Sequence, residues 1–333
     1  MSGSRLTGGP TLLVLRALGL GDLLTALPAL RALADAFPGH RRVLAAPAVL
    51  EPLARHSGAV DEVLDTAGLG VPLDARGAGR AGPDLAVNLH GRGPRSHRLL
   101  LATRPRRLIA FASPALPASA AGPRWRPGEH EVTRWCRLLR SSGIPADPRR
   151  LDLAPPPGAA PPGSHGATLI HPGAASAARR WPPERFAAVA RAEAGRGRAV
   201  VVSGGPAELE LASHVAELAG RPRQLTAAAG GDLLALARLV AAAGRVVCGD
   251  TGVAHLATAL GTPSLVLFGP VSPAQWGPPP ERSWHRALWT GRSGDPHARE
   301  PDPGLLEITV AEVLRALERL PRRPAARPSP MPP

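Results

Sequence analysis

Residues 245–270 read Arg245-Val-Val-Cys-Gly-Asp-Thr-Gly-Val-Ala-His-Leu-Ala-Thr-Ala-Leu-Gly-Thr-Pro-Ser-Leu-Val-Leu-Phe-Gly-Pro270. The apolar run Val246–Cys248 predicts a buried strand that stops at Gly249-Asp250-Thr251-Gly252. A helical pattern follows from Val253 to about Leu260, Thr262-Pro263 breaks it, and Ser264–Phe268 predicts a second buried strand. Strand, turn, helix and strand in this order form one unit of a parallel α/β sheet. The turn carries an acid, a hydroxyl and two glycines at a strand's carboxyl end. There the free N–H groups and the dipole of the following helix favour an anion such as a diphosphate.

The same alternation extends outward in both directions. Toward the N-terminus the sequence predicts strands at Thr11–Leu15, Val43–Ala46, Val63–Asp65, Leu85–Leu89 and Leu108–Phe111. Helices are expected at Asp22–Phe37 (complicated by Pro28), Val49–Arg55, Ser96–Ala102 and Glu129–Ser142. The Pro/Gly run Ala154–Gly163 continues neither helix nor sheet and reads as a linker. Beyond it come strands at Thr168–Ile170 and Ala199–Val202 and helices at Pro183–Glu193, Glu208–Leu218, Leu233–Ala242 and Thr309–Leu320. The expectation is an α/β protein with two Rossmann-like domains whose parallel sheets face a cleft: residues 1–153, a linker over 154–166, and residues 167–320. The Pro/Arg-rich tail 321–333 is expected to be disordered.

Composition narrows the function classes. The chain has 333 residues, 40 of them basic and all Arg, against 26 acids, for a net charge of +14. The absence of Lys, with abundant Ala, Gly and Pro, points to GC-rich codon usage rather than to a polyanion-binding surface. Aromatic residues at 3% leave few platforms for stacking bases, so nucleic acid is not expected as a partner. No acid lies between Asp84 and Glu129, a span that holds Arg92, Arg95, Arg98, Arg104, Arg106, Arg107, Arg124 and Arg126. This is either a solvated face or a surface for an anionic acceptor or an acidic membrane leaflet. Cys136 and Cys248 read as reduced thiols, and neither a signal peptide nor a membrane-spanning run is evident. The expected location is cytoplasmic, with peripheral contact at the inner membrane face left open.

Three further turns carry candidate chemistry. Gly19-Leu20-Gly21-Asp22 follows the first strand; it fails as a dinucleotide fingerprint because Leu24 occupies the third glycine position. Asp22 is then either a helix N-cap or a general base. His171-Pro-Gly-Ala-Ala-Ser176, followed by Arg179-Arg180-Trp181-Pro182, offers small residues, the Ser176 hydroxyl and the fixed Arg180 charge to a phosphate. Gly204-Gly205-Pro206 allows a nucleotide's base or ribose to approach closely. His255 stands in the first turn of the helix after Gly252. Asp295, His297 and Asp302 lack a regular ligand spacing, so no metal and no cofactor are expected.

Taken together, Gly-x-Gly-Asp, His-Pro-Gly-Ala…Arg-Arg-Trp-Pro-Pro-Glu-Arg-Phe, Ser-Gly-Gly-Pro and Asp-Thr-Gly-x-x-His-Leu…Gly-Thr-Pro…Phe-Gly-Pro resemble glycosyltransferase family 9 over most of residues 11–320. The resemblance implies a GT-B fold and inverting, metal-independent transfer of a sugar from a nucleotide-diphosphate donor, ADP-heptose or similar. The acceptor it implies is lipopolysaccharide or another cell-envelope glycan or glycolipid. By the same resemblance Asp22 is the base, while Arg180, standing where the family commonly has Lys, contacts the donor phosphates. Asp250, Thr251 and Gly252 form the donor turn with His255 close by. Arg92, Arg95 and Arg98 are candidates for the acceptor side. The alternatives are a nucleotide-sugar epimerase of the same fold and a non-catalytic nucleotide-sugar binder.

Overall fold

The computed structural model describes residues 9–73, 82–220, 223–224 and 232–321. The chain divides into two compact units, Met1–Leu151 and Asp152–Pro333. The tail expected to be disordered lies, apart from Pro321, outside the described residues. The Pro/Gly segment read as a linker falls within the second unit. Beside it, Leu153 N–H donates to the Ala259 carbonyl at 2.7 Å, and Ser164 is fully buried.

The first unit runs β1 (Thr11–Leu15), α1 (Leu20–Ala36), β2 (Arg41–Ala46), α2 (Glu51–His56), β3 (Glu62–Asp65), β4 (Leu85–Asn88), α3 (Arg95–Leu101), β5 (Arg107–Ile109) and α4 (Glu131–Arg140). Its five strands pair in parallel in the order β3-β2-β1-β4-β5. Strands β1 and β4 are buried along their whole length, which is why they read as unbroken apolar runs. The core gathers Leu13, Leu15, Val43, Ala86 and Leu100. Helix α1 continues through Pro28, although proline in a helix interior disfavours it by about 3 kcal/mol. All residues from Leu23 to Leu30 are buried, and that packing offsets the lost backbone bond.

The second unit runs β6 (Thr168–His171), α5 (Pro183–Gly195), β7 (Val200–Val202), α6 (Leu209–Leu218), β8 (Arg223–Gln224), α7 (Leu233–Ala242), β9 (Arg245–Gly249), α8 (Gly252–Ala259), β10 (Ser264–Leu267), α9 (Pro273–Trp276), β11 (His285–Leu288), α10 (Pro303–Glu307) and α11 (Val310–Glu318). Six parallel strands pair in the order β11-β10-β9-β6-β7-β8. Trp181 and Phe186 sit in its core, their rings in edge contact at 5.1 Å. The edge strands β8 and β11 and the short helices α9 and α10 have no counterpart among the sequence expectations.

Each sheet reverses direction once. In the first the chain turns back between β1 and β4, in the second between β6 and β9. Such a switch point splays the loops at the strands' carboxyl ends and opens a crevice for ligands. No helix of the described residues is long and apolar enough to cross a membrane.

Candidate functional site

At the switch point of the first unit, Asp22 does not sit in a turn before its helix. The helix starts at Leu20, its N-cap is Gly19 with no side-chain capping bond, and Asp22 lies in its first turn. The Asp22 side chain is therefore not the cap. Its Oδ1 accepts from Arg16 Nη2 at 3.0 Å, and its backbone carbonyl accepts from Arg16 Nε at 3.0 Å. Arg16 follows β1 and is only 1% exposed, whereas the Asp22 side chain keeps 26% exposure, enough for a ligand to reach it. Arg16 Nη2 also donates to Glu131 Oε1 at 2.9 Å, from the first turn of α4. Sequence reading had no signal for Arg16 or Glu131: one directly follows an apolar strand, and the other lies more than a hundred residues away.

Across the switch point, β4 ends beside His90. Its backbone N–H donates to Asn88 Oδ1 at 2.8 Å, and its Nδ1 is buried without a partner among the described residues. Burial, and then the Arg16 charge, push its pKa down to about 4, so His90 is neutral at pH 7. Arg92 lies in the following loop and Arg95 and Arg98 on α3, all three exposed.

The second unit brings four loops to the carboxyl ends of β6, β7, β9 and β10. The Asp250–Gly252 turn links β9 to α8. Asp250 is 5% exposed, with Oδ2 3.7 Å from Arg179 Nη1. Thr251 is the N-cap of α8 but makes no side-chain cap bond, and Gly252 is its first residue. His255 lies further along α8, its ring in edge contact with Trp276 at 5.8 Å. Gly249 is required by close approach: a Cβ there would stand 2.7 Å from the Arg179 carbonyl oxygen.

The loop after β6 is organised by its side chains. The Ser176 hydroxyl accepts from Ala178 N–H at 3.3 Å and donates to the Ala298 carbonyl at 3.2 Å. Arg180 Nε donates to the Ala174 carbonyl at 2.9 Å, which fixes the guanidinium and leaves its two terminal nitrogens for a ligand. After β7, Gly205 N–H donates to Glu208 Oε2 at 3.0 Å. That carboxylate fills the space where a side chain at Gly173 would begin, and it lies 3.6 Å from His171 Nε2. His171 is buried, its Nδ1 is 3.1 Å from Ser203 Oγ, and burial lowers its pKa. Glu208 and His171 thus join the Gly204-Gly205 turn to the His171–Ser176 loop. Glu208 was legible only as the start of a helix.

This unit can hold an anion, through Arg180 and the start of α8, and a diol, through Glu208 beside glycines. Among the described residues no cluster of three His, Cys, Asp or Glu could ligate a metal. Both cysteines are free and buried, and burial pushes the Cys136 thiol up to about 12.

A family model described as glycosyltransferase family 9 (heptosyltransferase) matches residues 124–301. Lipopolysaccharide heptosyltransferase 2 of Salmonella typhimurium is 31% identical over 150 residues, a match that spans 43% of this chain and 43% of that protein. Among solved structures, Escherichia coli ADP-heptose lipopolysaccharide heptosyltransferase II superposes with a TM-score of 0.71 at 20% identity, covering 92% of this chain and 97% of that one. The E. coli heptosyltransferase WaaC with ADP gives 0.65 at 20% identity, covering 92% and 97%. At these identities the structures establish the fold, the two-Rossmann-unit GT-B class.

Proposed function

This chain belongs to glycosyltransferase family 9, the heptosyltransferase family, and from that premise we propose that it transfers a sugar, with inversion, from a nucleotide diphosphate of the ADP-heptose type to a cell-envelope glycan. The observation that carries the reading is the division of labour between the two switch points. One presents a partly exposed carboxylate held by a buried arginine, and the other presents glycine turns, a helix start and an arginine suited to a diphosphate. That the solved WaaC relative holds ADP supports the choice of donor.

In this reading the Asp22 carboxylate takes the proton of an acceptor hydroxyl. The acceptor oxygen then forms a bond to the anomeric carbon from the face opposite the diphosphate, and the bond from that carbon to the diphosphate oxygen breaks. Arg180 and the first N–H groups of α8 stabilise the negative charge that collects on the leaving group. Ser176, engaged with Ala178 and Ala298, shapes the loop and contacts the diphosphate only by exchanging one of those bonds. Asp250, Thr251, Gly252 and His255 border the donor sugar, Gly204 and Gly205 the nucleoside, and Glu208 accepts from ribose hydroxyls. Arg92, Arg95 and Arg98 offer charge to an anionic acceptor such as a lipopolysaccharide core.

The test combines calorimetry over a panel of nucleotide sugars with mass analysis of a lipopolysaccharide core lacking heptose after incubation with ADP-heptose. Binding of an ADP-sugar and a heptosyl mass gain on the acceptor are expected. Isomerised donor formed without acceptor would move the reading to an epimerase, and failure to bind any nucleotide sugar would remove it.

A further inference from the structure

Behind Asp22 the first unit buries two ionic groups, Arg16 and Glu131, that proton transfer does not use directly. Arg16 spans two carboxylates with one nitrogen: Nη2 lies 3.0 Å from Asp22 Oδ1 and 2.9 Å from Glu131 Oε1. Its remaining donors go to the Asp22 and Leu89 carbonyls, and Nη2 also reaches Thr25 Oγ1 at 3.3 Å. Glu131, 5% exposed, is held in turn by Trp135 Nε1 at 2.9 Å and by the Arg134 guanidinium. The Trp135 ring lies under Arg16 at 4.9 Å, and Trp125 under Arg134 at 4.2 Å. A seam between α1 and α4 could be made from apolar side chains without the penalty of desolvating four charges. What the ions provide instead is a fixed place for one carboxylate at the switch point.

We propose that Glu131 and Arg16 are positioning residues for Asp22: Glu131 anchors the Arg16 guanidinium, the guanidinium fixes Asp22 Oδ1, and the Glu131 charge keeps Arg16 from suppressing the proton affinity of Asp22. The inference rests on Asp22 being the base. A carboxylate facing an unshared arginine is a poor proton acceptor. Sharing that cation with a second carboxylate offsets the effect while keeping the geometry. Among the described residues, the ionisable groups of this cluster include Arg16 from the β1–α1 turn, Glu131 and behind it Arg134 from α4, with neutral His90 just after β4. Arg31 and Asp35, on α1 itself, lie farther along the helix and bond to Arg150.

The experiment labels the aspartate carboxylates of the full chain with carbon-13, assigns Asp22 through Asp22→Asn, and titrates the free wild type, Glu131→Gln and Arg16→Lys. Thermal melting and, with ADP-heptose, kcat and KM against pH are read alongside. In Glu131→Gln the Asp22 titration should move to lower pH by about half a unit or more, because a like charge is removed and Arg16 is no longer shared. The acid limb of kcat should move with it, and kcat at pH 7 should fall by about tenfold with donor KM unchanged. Arg16→Lys keeps the charge but loses the fork, and should lower kcat in the same way; it also serves if Glu131→Gln does not fold. A folded variant of either kind with an unchanged Asp22 titration and unchanged kcat overturns the proposal, even if its melting temperature drops. Turnover retained by Asp22→Asn would instead overturn the assignment of the base, a failure distinguishable from the first.

Discussion

The two switch points solve different problems with different materials. In the first unit the work falls to side chains: Arg16, Asp22 and Glu131 form a closed ionic cluster whose exposed member is one carboxylate. In the second unit it falls to the backbone: Gly173, Gly204 and Gly249 stand where a Cβ would collide with a carboxylate, a carbonyl and another carbonyl, and α8 starts without a side-chain cap. Moving a proton needs one atom held at one place, and side chains locked by burial provide that. Holding a diphosphate needs many weak donors at close range, which bare peptide supplies. The contrast gives two sheets with the same switch-point logic different chemical materials.

The contrast breaks most readily at Asp22. Asp22→Asn keeps the shape and removes the proposed base, so transfer should fall by about a thousandfold while calorimetric donor binding is preserved. Loss of donor binding in that variant would mean that the units do not divide the labour as argued. A second effect is a loss of stability in acid. His285, in the second unit, is 7% exposed and its pKa is lowered to about 4, by burial first. As pH falls through 6.5 the unfolded chain takes up this proton before the folded one does, so folding stability is lost between pH 6.5 and about 4. For His285 the loss is at most about 3 kcal/mol. Half-buried His90 should act in the same direction by less, since solvent screens it. The gap between urea midpoints at pH 7 and pH 4.5 should narrow in His285→Gln.

Arg180→Ala should weaken ADP binding by about tenfold to a hundredfold, the worth of one or two charge-assisted hydrogen bonds. In this reading kcat at saturating donor should fall as well, because the same guanidinium stabilises the charge on the leaving diphosphate. The smallest effect belongs to the cap of α7. Asp232 caps α7, accepting from Leu234 and Ala235 N–H at 2.9 and 3.0 Å, and Asp232→Ala should destabilise the fold by about 1 kcal/mol with donor binding unchanged. A change in ADP affinity there would blur the line between scaffold and site.

Much of the scaffold was legible because its central strands are buried on both faces and spell themselves as apolar runs, as at Leu12–Leu15 and Val246–Cys248. The edge strands of the second sheet were not, because Arg223–Gln224 and His285–Leu288 carry no such run. The start of α1 was misplaced by two residues: Gly19 and Gly21 look like a turn, yet Leu20 already begins the helix. Of the candidate residues, those next to glycine turns could be nominated from local spacing. Glu131 and Glu208 could not, since what marks them is contact with Arg16 and with Gly173 across long stretches of chain.

The seat of the Glu208 carboxylate over Gly173 has an evolutionary consequence. A methyl at 173 pushes the flexible Glu208 carboxylate aside and away from Gly205 N–H, whereas a shortened 208 removes the atoms that a Cβ at 173 would meet. Across descendants of this chain a side chain at 173 should therefore accompany a shortened 208 more often than a retained acid.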